Sequence, residues 1–285
     1  MPPVIPIEPN VSRKPSVVDR SSVILRTENL TKKYGQHTAL DDLTITIHRG
    51  EVFGYIGPNG SGKTTTLRAL SGERGYTGRI GFNGRDLTTM TARDMALDRG
   101  VLAQSISLGF PFKVREILEM GVVAGDVHSR KEAEGVMARA LAAVDLVGFE
   151  NRVATALSGG EQGRMHMARV LCQISSPVRA GRPRWLFLDE PVASLDVKHQ
   201  LAIMTLARAF TRSGGGVLAV MHDLNLTSMF ADKVVMLKEG RKHAEGAPSE
   251  VFTEANLDAV YGCPLSVTRD QGTGQIRIFP LPIAA

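Results

Sequence analysis

The first patterned part of the chain alternates apolar and polar residues in short runs from Val23 to Gly57. Gly, Asn and Asp interrupt these runs, which is typical of strands joined by turns and predicts a mainly antiparallel β-region. Its last strand, EVFGYIG, leads directly into a glycine-rich loop. The next run, KTTTLRALSG, predicts a helix that ends at a glycine, and GRIGFNGRDL predicts a return to strand around an Asn-Gly turn.

The middle of the chain has a helical pattern. The segment SRKEAEGVMARALAAVDL begins with Ser129 and Glu132 at capping-box spacing and continues with Met137, Leu141 and Val144 at helical spacing. We therefore predict a helical subdomain over about residues 105–167, inserted between strands.

Short apolar runs return after this helical segment. RWLFLDEP and GGGVLAVMHD both end in polar residues, as parallel strands covered on both faces do. Farther along, KVVMLKEGRKHAEG predicts a hairpin, PSEVFTEANLDAVYG a helix, and LSVTRDQGTGQIRIFP a closing pair of strands. The pattern as a whole predicts an α/β fold over residues 23–285, with a C-terminal extension over about residues 234–285.

Composition narrows the class of protein. A chain of 285 residues with 43% hydrophobic and 22% charged residues is typical of a globular protein. No apolar run approaches the roughly 18 residues of a bilayer span. Residues 1–22 are rich in proline and lack the apolar segment of a secretory signal, so we interpret them as a flexible tail of a cytoplasmic protein. Cys172 and Cys263 lie far apart, which predicts neither a disulfide framework nor a zinc site.

The glycine-rich loop has the chemistry of a phosphate site. Gly57, Gly62, Lys63 and Thr64 fit the spacing G-x-x-x-x-G-K-[ST] between a predicted strand and a predicted helix. In such a loop the backbone N–H groups surround phosphates, the lysine reaches the β and γ groups, and the threonine hydroxyl binds magnesium. The candidate loop consists of Gly57, Pro58, Asn59, Gly60, Ser61, Gly62, Lys63, Thr64 and Thr65.

Polar residues follow the other predicted strands. Asp189 and Glu190 end LFLDE, where one carboxylate can hold the magnesium shell and the next can polarise a water, although such a pair alone is more often a turn or a cap. His222 ends VLAVMH, and Gln104 ends GVLAQ. Because ligands of open α/β sheets bind at the carboxyl ends of strands, we expect these side chains beside the phosphate loop. His222 would contact the γ-phosphate, and Gln104 the metal or the attacking water.

A second anion-binding element lies far from the first. Ser158, Gly159 and Gly160 precede the helical run EQGRMHMARVL, so they form a helix N-terminus with exposed amides and a hydroxyl. Since this element belongs to the predicted helical subdomain, we predict that a second copy of the chain, related by a two-fold axis, brings it to the first copy's γ-phosphate. Two equivalent ATP sites would then form between two identical chains. Tyr34, before the phosphate loop, is either an adenine-stacking residue or a partly exposed strand aromatic.

Taken together, these motifs resemble the ATP-binding cassettes of ABC transporters over about residues 23–246. The phosphate loop, Gln104, LSGGE, LFLDEP, SLD and His222 occur in that family's order. The resemblance implies a P-loop NTPase fold with a RecA-like core, an N-terminal antiparallel β-subdomain and an inserted α-helical subdomain. It also implies an ATPase that uses Mg²⁺ and drives transmembrane movement of substances.

The same resemblance implies roles for individual residues. Residues 57–65 would hold the phosphates and Tyr34 would stack on adenine, while Thr64, Gln104 and Asp189 would attend the magnesium ion. Glu190 would be the general base, and His222 would sense the γ-phosphate. Asp196 of SLD would link the two sites across the dimer, and Ser158, Gly159 and Gly160 would act in trans.

Three longer segments are similar to the cassettes of bacterial haem importers, a type II importer group shared with vitamin B12 and ferric-siderophore systems. They are SLGFPFKVREILEMG, PRWLFLDEP with HQ soon after it, and GGGVLAVMHDLNLTSMFADKVVMLKEGR. The likeness implies a peripheral protein at the cytoplasmic face of the inner membrane, with two transmembrane permease subunits and, through them, a periplasmic substrate-binding protein. Because the substrate never touches the cassette, import of vitamin B12 or a siderophore stays open.

Two functions of other classes also stay open. The net charge of +5 would suit a cassette that works on nucleic acid or ribosomes, but the basic residues are dispersed, and we expect no nucleic acid. A monomeric P-loop kinase would account for the glycine loop and leave LSGGE and His222 without a task. We expect His128, His166, His199 and His243 to be surface or packing residues and not haem ligands, because they lack i, i+4 pairing.

Overall fold

The structure, a computed structural model, describes residues 22–73, 75–104 and 109–282. The predicted tail, apart from Ser22, lies outside the described residues. The chain divides into two units. We call residues 91–217 the helix-rich unit, and residues 22–90 with 218–282 the strand-rich unit.

The described residues form the following elements. The strands are β1 (Val23–Tyr34), β2 (His37–His48), β3 (Val52–Ile56), β4 (Tyr76–Phe82), β5 (Arg85–Asp86), β6 (Arg99–Leu102), β7 (Val178–Arg179), β8 (Arg182–Pro183), β9 (Trp185–Asp189), β10 (Gly216–Val220), β11 (Lys233–Lys238), β12 (Arg241–Gly246), β13 (Leu265–Arg269) and β14 (Ile276–Pro280). The helices are α1 (Lys63–Leu70), α2 (Ala92–Asp98), α3 (Val114–Ala124), α4 (Arg130–Ala143), α5 (Gly159–Gln173), α6 (Val197–Arg212), α7 (Leu224–Phe230), α8 (Pro248–Val251) and α9 (Glu254–Tyr261). None of the helices in this part of the chain is both long enough and apolar enough to cross a bilayer.

An antiparallel sheet in the strand-rich unit contains the first patterned segment. β1 pairs with β2 on one side and with β4 on the other, and β5 follows β4. The turn between β4 and β5 is formed by Asn83 and Gly84, whose φ angles of 49° and 77° are left-handed, as a tight hairpin turn requires. The predicted antiparallel β-region and its Asn-Gly turn are therefore confirmed.

The strand β3 belongs to a different sheet from the one predicted. The sequence pattern places EVFGYIG in the antiparallel region, but β3 pairs in parallel with β11, with Phe53 opposite Lys233 and Ile56 opposite Met236. The physical reason is that all five residues of β3 are buried, so the strand is covered on both faces and has no polar face to turn to solvent. β11 and β12 pair antiparallel, which confirms the predicted hairpin.

Helices dominate the other unit. α3, α4 and α5 pack against one another, and β6 pairs in parallel with the fully buried β9. The Ser129 hydroxyl caps α4 by accepting from the Glu132 backbone N–H at 3.2 Å, which confirms the predicted N-terminus. The Glu132 carboxylate accepts from the backbone N–H of His128, one residue earlier than a capping box requires. Helix α5 continues to Gln173.

The segment predicted as one helix near the C-terminus is two. α8 ends at Val251, and Thr253 then caps α9 by accepting a hydrogen bond from the Asn256 backbone N–H at 3.2 Å. The apolar residues keep a helical spacing across the break, so the sequence pattern did not indicate it. The break forms because the Thr253 side chain competes locally for the backbone N–H groups that would continue the first helix. β13 and β14 pair antiparallel from Leu265 opposite Pro280 onward, so the predicted closing pair is confirmed.

Helix α5 carries a histidine into the core of the helix-rich unit. His166 is 5% exposed, and neither ring nitrogen has a hydrogen-bond partner among the described residues. Burial, with a smaller contribution from charge repulsion by the nearby Arg169, lowers the pKa of His166 to about 4. The folded chain therefore keeps this imidazole neutral at pH values where an unfolded chain protonates it.

We expect the protein to lose stability as the pH falls from about 6.5 to about 4, because over this range the unfolded chain binds a proton that the folded chain excludes. His166→Leu removes this source of pH dependence, which lowers the free energy of unfolding of the wild type by on the order of 3 kcal/mol once the pH has fallen to about 4. Its melting temperature should therefore fall less than that of the wild type between about pH 7 and about pH 4.5. His243→Leu, at an exposed strand position, is the matched control. An identical pH dependence in all three proteins would contradict this prediction.

Candidate functional site

The glycine loop joins β3 to α1 in a conformation that requires its glycines. Gly57, Gly60 and Gly62 have φ angles of 148°, 79° and 101°, which L side chains rarely adopt. A Cβ on Gly62 would lie 2.7 Å from the carbonyl oxygen of Ala39, so space also requires glycine there. Gly62 is the N-cap residue of α1 and has no side chain to cap it, which leaves the start of the helix open to a ligand.

Lys63 brings a positive charge into this loop. Its Nζ donates to the carbonyl oxygens of Gly57, at 2.8 Å, and Pro58, at 2.9 Å, and the residue is 6% exposed. The hydroxyl oxygen of Ser61 is buried and has no hydrogen-bond partner among the described residues. A buried ammonium, an unsatisfied hydroxyl and a helix N-terminus together suit a phosphate-bearing anion.

Tyr34 lies at the exposed end of β1. Its hydroxyl donates to Glu73 Oε1 at 3.2 Å, and the Lys32 ammonium lies 5.1 Å from the centre of its ring. Glu73 follows the C-terminal end of α1, and Lys63 is the first residue of that helix. Tyr34 therefore contacts a residue beyond the opposite end of α1 from Lys63. The ring is 45% exposed and has free area for stacking.

His222 emerges at the same edge of the strand-rich unit as the glycine loop. It follows Met221, whose backbone N–H donates to the Tyr55 carbonyl at 3.0 Å. Gly57 comes two residues after Tyr55. The segment that ends in Gly57 and the segment that ends in His222 therefore leave their strands at neighbouring positions. The side chain of His222 is exposed, and the next residue, Asp223, caps α7 by accepting from the Leu226 N–H at 2.8 Å.

Asp189, Glu190 and Gln104 lie in the helix-rich unit. Asp189 ends β9 and is 3% exposed. Glu190 has a φ of 52°, a left-handed conformation that is unfavourable for a residue with a side chain. Its carboxylate accepts from the Gln104 side-chain amide at 2.8 Å. The structure thus brings two of the predicted side chains into direct contact, at a point of backbone strain such as functional sites often contain.

The second predicted anion element is a capped helix N-terminus. The backbone N–H and the hydroxyl of Ser158 both donate to Glu161 Oε2 at 2.8 Å, and the hydroxyl oxygen accepts from the Glu161 N–H at 3.3 Å. The two hydrogen bonds that the Glu161 carboxylate accepts lower its pKa, and the bond from the Ser158 backbone has the larger effect. A cleft of about 450 Å³ lies beside this turn and is lined by Ser158, Gly159, Gly160, Arg164, Ser194, Leu195, Asp196 and His199.

Asp196 is held in that cleft by a cluster that the motifs did not reveal. It caps α6 by accepting from the His199 backbone N–H at 2.9 Å and contacts His199 Nδ1 at 2.8 Å. The carboxylate of Asp145 lies 2.8 Å from Lys198 Nζ and 3.4 Å from His199 Nε2, and its backbone carbonyl accepts from Arg164 at 2.8 Å. Asp145 therefore joins the start of α6 to α5, which carries Ser158 at its N-cap.

The four histidines outside the predicted site lie in different environments. The side chain of His128 is 79% exposed, His243 is exposed, His166 is buried, and His199 contacts two carboxylates. Across residues 22–73, 75–104 and 109–282, no group of three or more His, Cys, Asp or Glu side chains is arranged to hold a metal ion.

Comparison with known proteins identifies the family of this chain. Residues 40–193, more than half of the chain, match the family model described as ABC transporter, and the chain belongs to that family. The predicted P-loop ABC cassette fold is confirmed by a solved structure described as "Dimeric Structure of MJ0796, a Bacterial ABC Transporter Cassette". Its TM-score is 0.70 at 25% sequence identity, and the match covers 79% of this chain and 99% of that one.

Two curated relatives cover most of the chain. One, named hemin import ATP-binding protein HmuV, from Rhizobium meliloti (strain 1021), is 51% identical over 247 residues, which are 86% of this chain and 94% of the relative. The other has the same name and comes from Mesorhizobium japonicum (strain LMG 29417 / CECT 9101 / MAFF 303099). It is 53% identical over 219 residues, or 76% of this chain and 83% of the relative.

Proposed function

We propose that this chain is the ATP-hydrolysing subunit of an ABC importer and that the imported substrate is haem. The glycine loop with its buried lysine carries the nucleotide assignment, because it offers a positive charge and a helix N-terminus to phosphate within a chain of the ABC family. The substrate assignment is supported by the relatives named for hemin import, at 51% and 53% identity.

ATP and Mg²⁺ fit the donors that the chain provides. Residues 57–65 would hold the phosphates, and the exposed ring of Tyr34 would stack on adenine. The Thr64 hydroxyl, the Asp189 carboxylate and the Gln104 amide oxygen are hard oxygen ligands of the kind Mg²⁺ prefers. When bound, the ion would neutralise charge on the phosphate oxygens during phosphoryl transfer.

Hydrolysis would depend on Glu190 and its neighbours. Glu190 would accept the proton of the attacking water, and Gln104 would orient that carboxylate through the hydrogen bond of 2.8 Å that its side-chain amide donates. His222, exposed at the edge of the strand-rich unit, would donate a hydrogen bond to the γ-phosphate and so report its presence.

We place the second anion element in trans. Ser158, Gly159 and Gly160 with Asp196 line one cleft in the helix-rich unit, so they form a single surface that a partner chain's nucleotide can meet. Two copies related by a two-fold axis would complete two equivalent sites. The structurally similar cassette, which is described as dimeric, supports this arrangement.

The remaining partners follow from an import function. We propose that two such cassettes act at the cytoplasmic face of the bacterial inner membrane, bound to two transmembrane permease subunits that receive substrate from a periplasmic binding protein. Closure of the two cassettes on ATP would be transmitted to the permease as a change between its outward- and inward-facing states. No nucleic acid partner is needed.

Glu190→Gln should slow ATP hydrolysis by orders of magnitude while leaving ATP binding intact, because the water loses its base and the phosphate contacts remain. The variant should also accumulate as an ATP-bound dimer. Steady-state phosphate release, ATP binding and size-exclusion chromatography measure the three effects. Glu28→Gln, at a partly exposed residue of β1, is the control. Near-normal turnover of Glu190→Gln would refute the assignment of the base.

Ser158→Arg and Lys63→Ala should each abolish turnover as homodimers, because each removes one half of every site. Mixing the two variants should restore activity, since a heterodimer contains one site with both Lys63 and Ser158 intact. At equal concentrations the mixture should recover about a quarter of wild-type turnover. If each site were built within one chain, the mixture would stay inactive.

Haem-loaded binding protein should stimulate ATPase activity several-fold in liposomes that contain the cassette and its permease, because substrate delivery promotes cassette closure. The same liposomes receive the binding protein with cobalamin or with a ferric siderophore as comparison. Stimulation by one of those ligands and not by haem would overturn the substrate assignment. Co-purification of the cassette with rRNA or DNA in place of a permease would overturn the import function.

A further inference from the structure

His199, in the first turn of α6, lies between two carboxylates. Its Nδ1 is 2.8 Å from Asp196 Oδ1, and its Nε2 is 3.4 Å from Asp145 Oδ2. The backbone N–H of His199 also donates to Asp196 Oδ1, at 2.9 Å. The side chain of His199 is 16% exposed, whereas those of Asp145 and Asp196 are both 65% exposed. A largely buried ring therefore fixes two carboxylates that would otherwise be free to rotate in solvent.

The loop that ends at Asp196 lies directly against the first turn of α5. A Cβ on Gly160 would lie 3.0 Å from the Ser194 carbonyl oxygen, so the loop comes as close to this turn as a glycine permits. Gln200 Nε2 donates to the Leu195 carbonyl at 3.0 Å. Helix α6 thus holds the loop through its backbone as well as through the Asp196 carboxylate.

Asp145 connects the ring of His199 to the two neighbouring helices. It follows α4 with a left-handed φ of 58°, and its backbone carbonyl accepts from Nη1 of Arg164, in α5, at 2.8 Å. Its carboxylate also lies 2.8 Å from Lys198 Nζ. The ends of α4 and α6 and the body of α5 are therefore joined around Asp145, and all of these contacts lie within the helix-rich unit.

We propose that His199 is a positioning residue for the half of the nucleotide site that acts in trans. Ser158 and Asp196 line the same cleft as His199. A carboxylate that rotated freely in this cleft would repel an anionic phosphate, so its direction matters for binding. By fixing Asp196 beside the start of α5, His199 keeps Asp196 and Ser158 facing the partner chain's nucleotide as one surface. This proposal rests on the proposed function, because it takes that nucleotide to be ATP.

His199→Leu tests the proposal, because it removes both ring contacts and still fills the space. We expect kcat for ATP hydrolysis to fall about ten-fold, as the loss of a hydrogen bond to a charged group predicts. The Kd for Mg-ADP, which lacks the γ-phosphate that the trans element would meet, should keep its wild-type value. Steady-state phosphate release and isothermal titration with the full-length chain measure these quantities. His128→Leu, at a side chain 79% exposed in the same unit, is the matched control.

Two amide variants distinguish the two contacts of the ring. The side-chain amide of asparagine reaches the position of Nδ1, and that of glutamine reaches the position of Nε2. His199→Asn should therefore keep a donor to Asp196 and most of the turnover. His199→Gln, which keeps only the contact with Asp145, should be as slow as His199→Leu. Higher turnover in His199→Gln than in His199→Asn would overturn the role through Asp196, and so would losses that follow the melting temperatures of the variants and not the retained contact.

Mixed dimers show which half of the site His199 supports. In the mixture of Lys63→Ala and Ser158→Arg chains, the complete site takes its Ser158 from the Lys63→Ala chain. His199→Leu added to that chain should lower the turnover of the mixture about ten-fold, whereas His199→Leu added to the Ser158→Arg chain should leave it unchanged. Equal losses in the two mixtures would overturn the positioning role. An inactive mixture of the two parent chains would instead overturn the proposed arrangement in trans, and this inference with it.

Discussion

A buried ammonium bound to main-chain carbonyls is the interaction on which the proposed phosphate site depends. Lys63 donates hydrogen bonds to two carbonyls of its own loop, and three glycines of that loop adopt left-handed φ angles. The surrounding backbone also approaches closely, so that a Cβ on Gly62 would lie 2.7 Å from the Ala39 carbonyl oxygen. The glycines of GPNGSGKTT therefore determine the backbone conformation of the loop, and that conformation determines where the Lys63 ammonium lies.

Regular patterns in the sequence predicted most of the elements. The caps at Ser129 and Ser158, the Asn83-Gly84 turn and the hairpin after Lys233 all depend on interactions between residues close in the chain, which the local sequence records. The assignment of β3 failed because pairing with β11 joins residues about 180 positions apart, and no local pattern specifies a sheet partner at that distance. The break at Thr253 was missed since a threonine is also tolerated within a helix.

The residues of the candidate site also fall into those that the sequence could predict and those that it could not. Residues in motifs of fixed spacing, such as Lys63 and Glu190, could be found from the sequence alone. The Asp145 cluster could not, because an aspartate that follows a helix has many ordinary roles. The significance of Asp145 comes from its contacts with Lys198 and His199, which only folding reveals. The supporting residues of this site are therefore much less visible in sequence than the residues they support.

The cap of α5 also has a consequence for the proposed binding of a nucleotide at this helix N-terminus. Both donor groups of Ser158 are already bonded to the carboxylate of Glu161, so the helix start holds an anion of its own before any phosphate arrives. At the proposed site, an incoming phosphate would have to displace that carboxylate or share the serine with it. Binding at this end of the helix would then exchange one anion for another, and the free energy released would be only the difference between the two. The carboxylate of Glu161 would thus keep the helix start folded without nucleotide and make nucleotide binding there readily reversible.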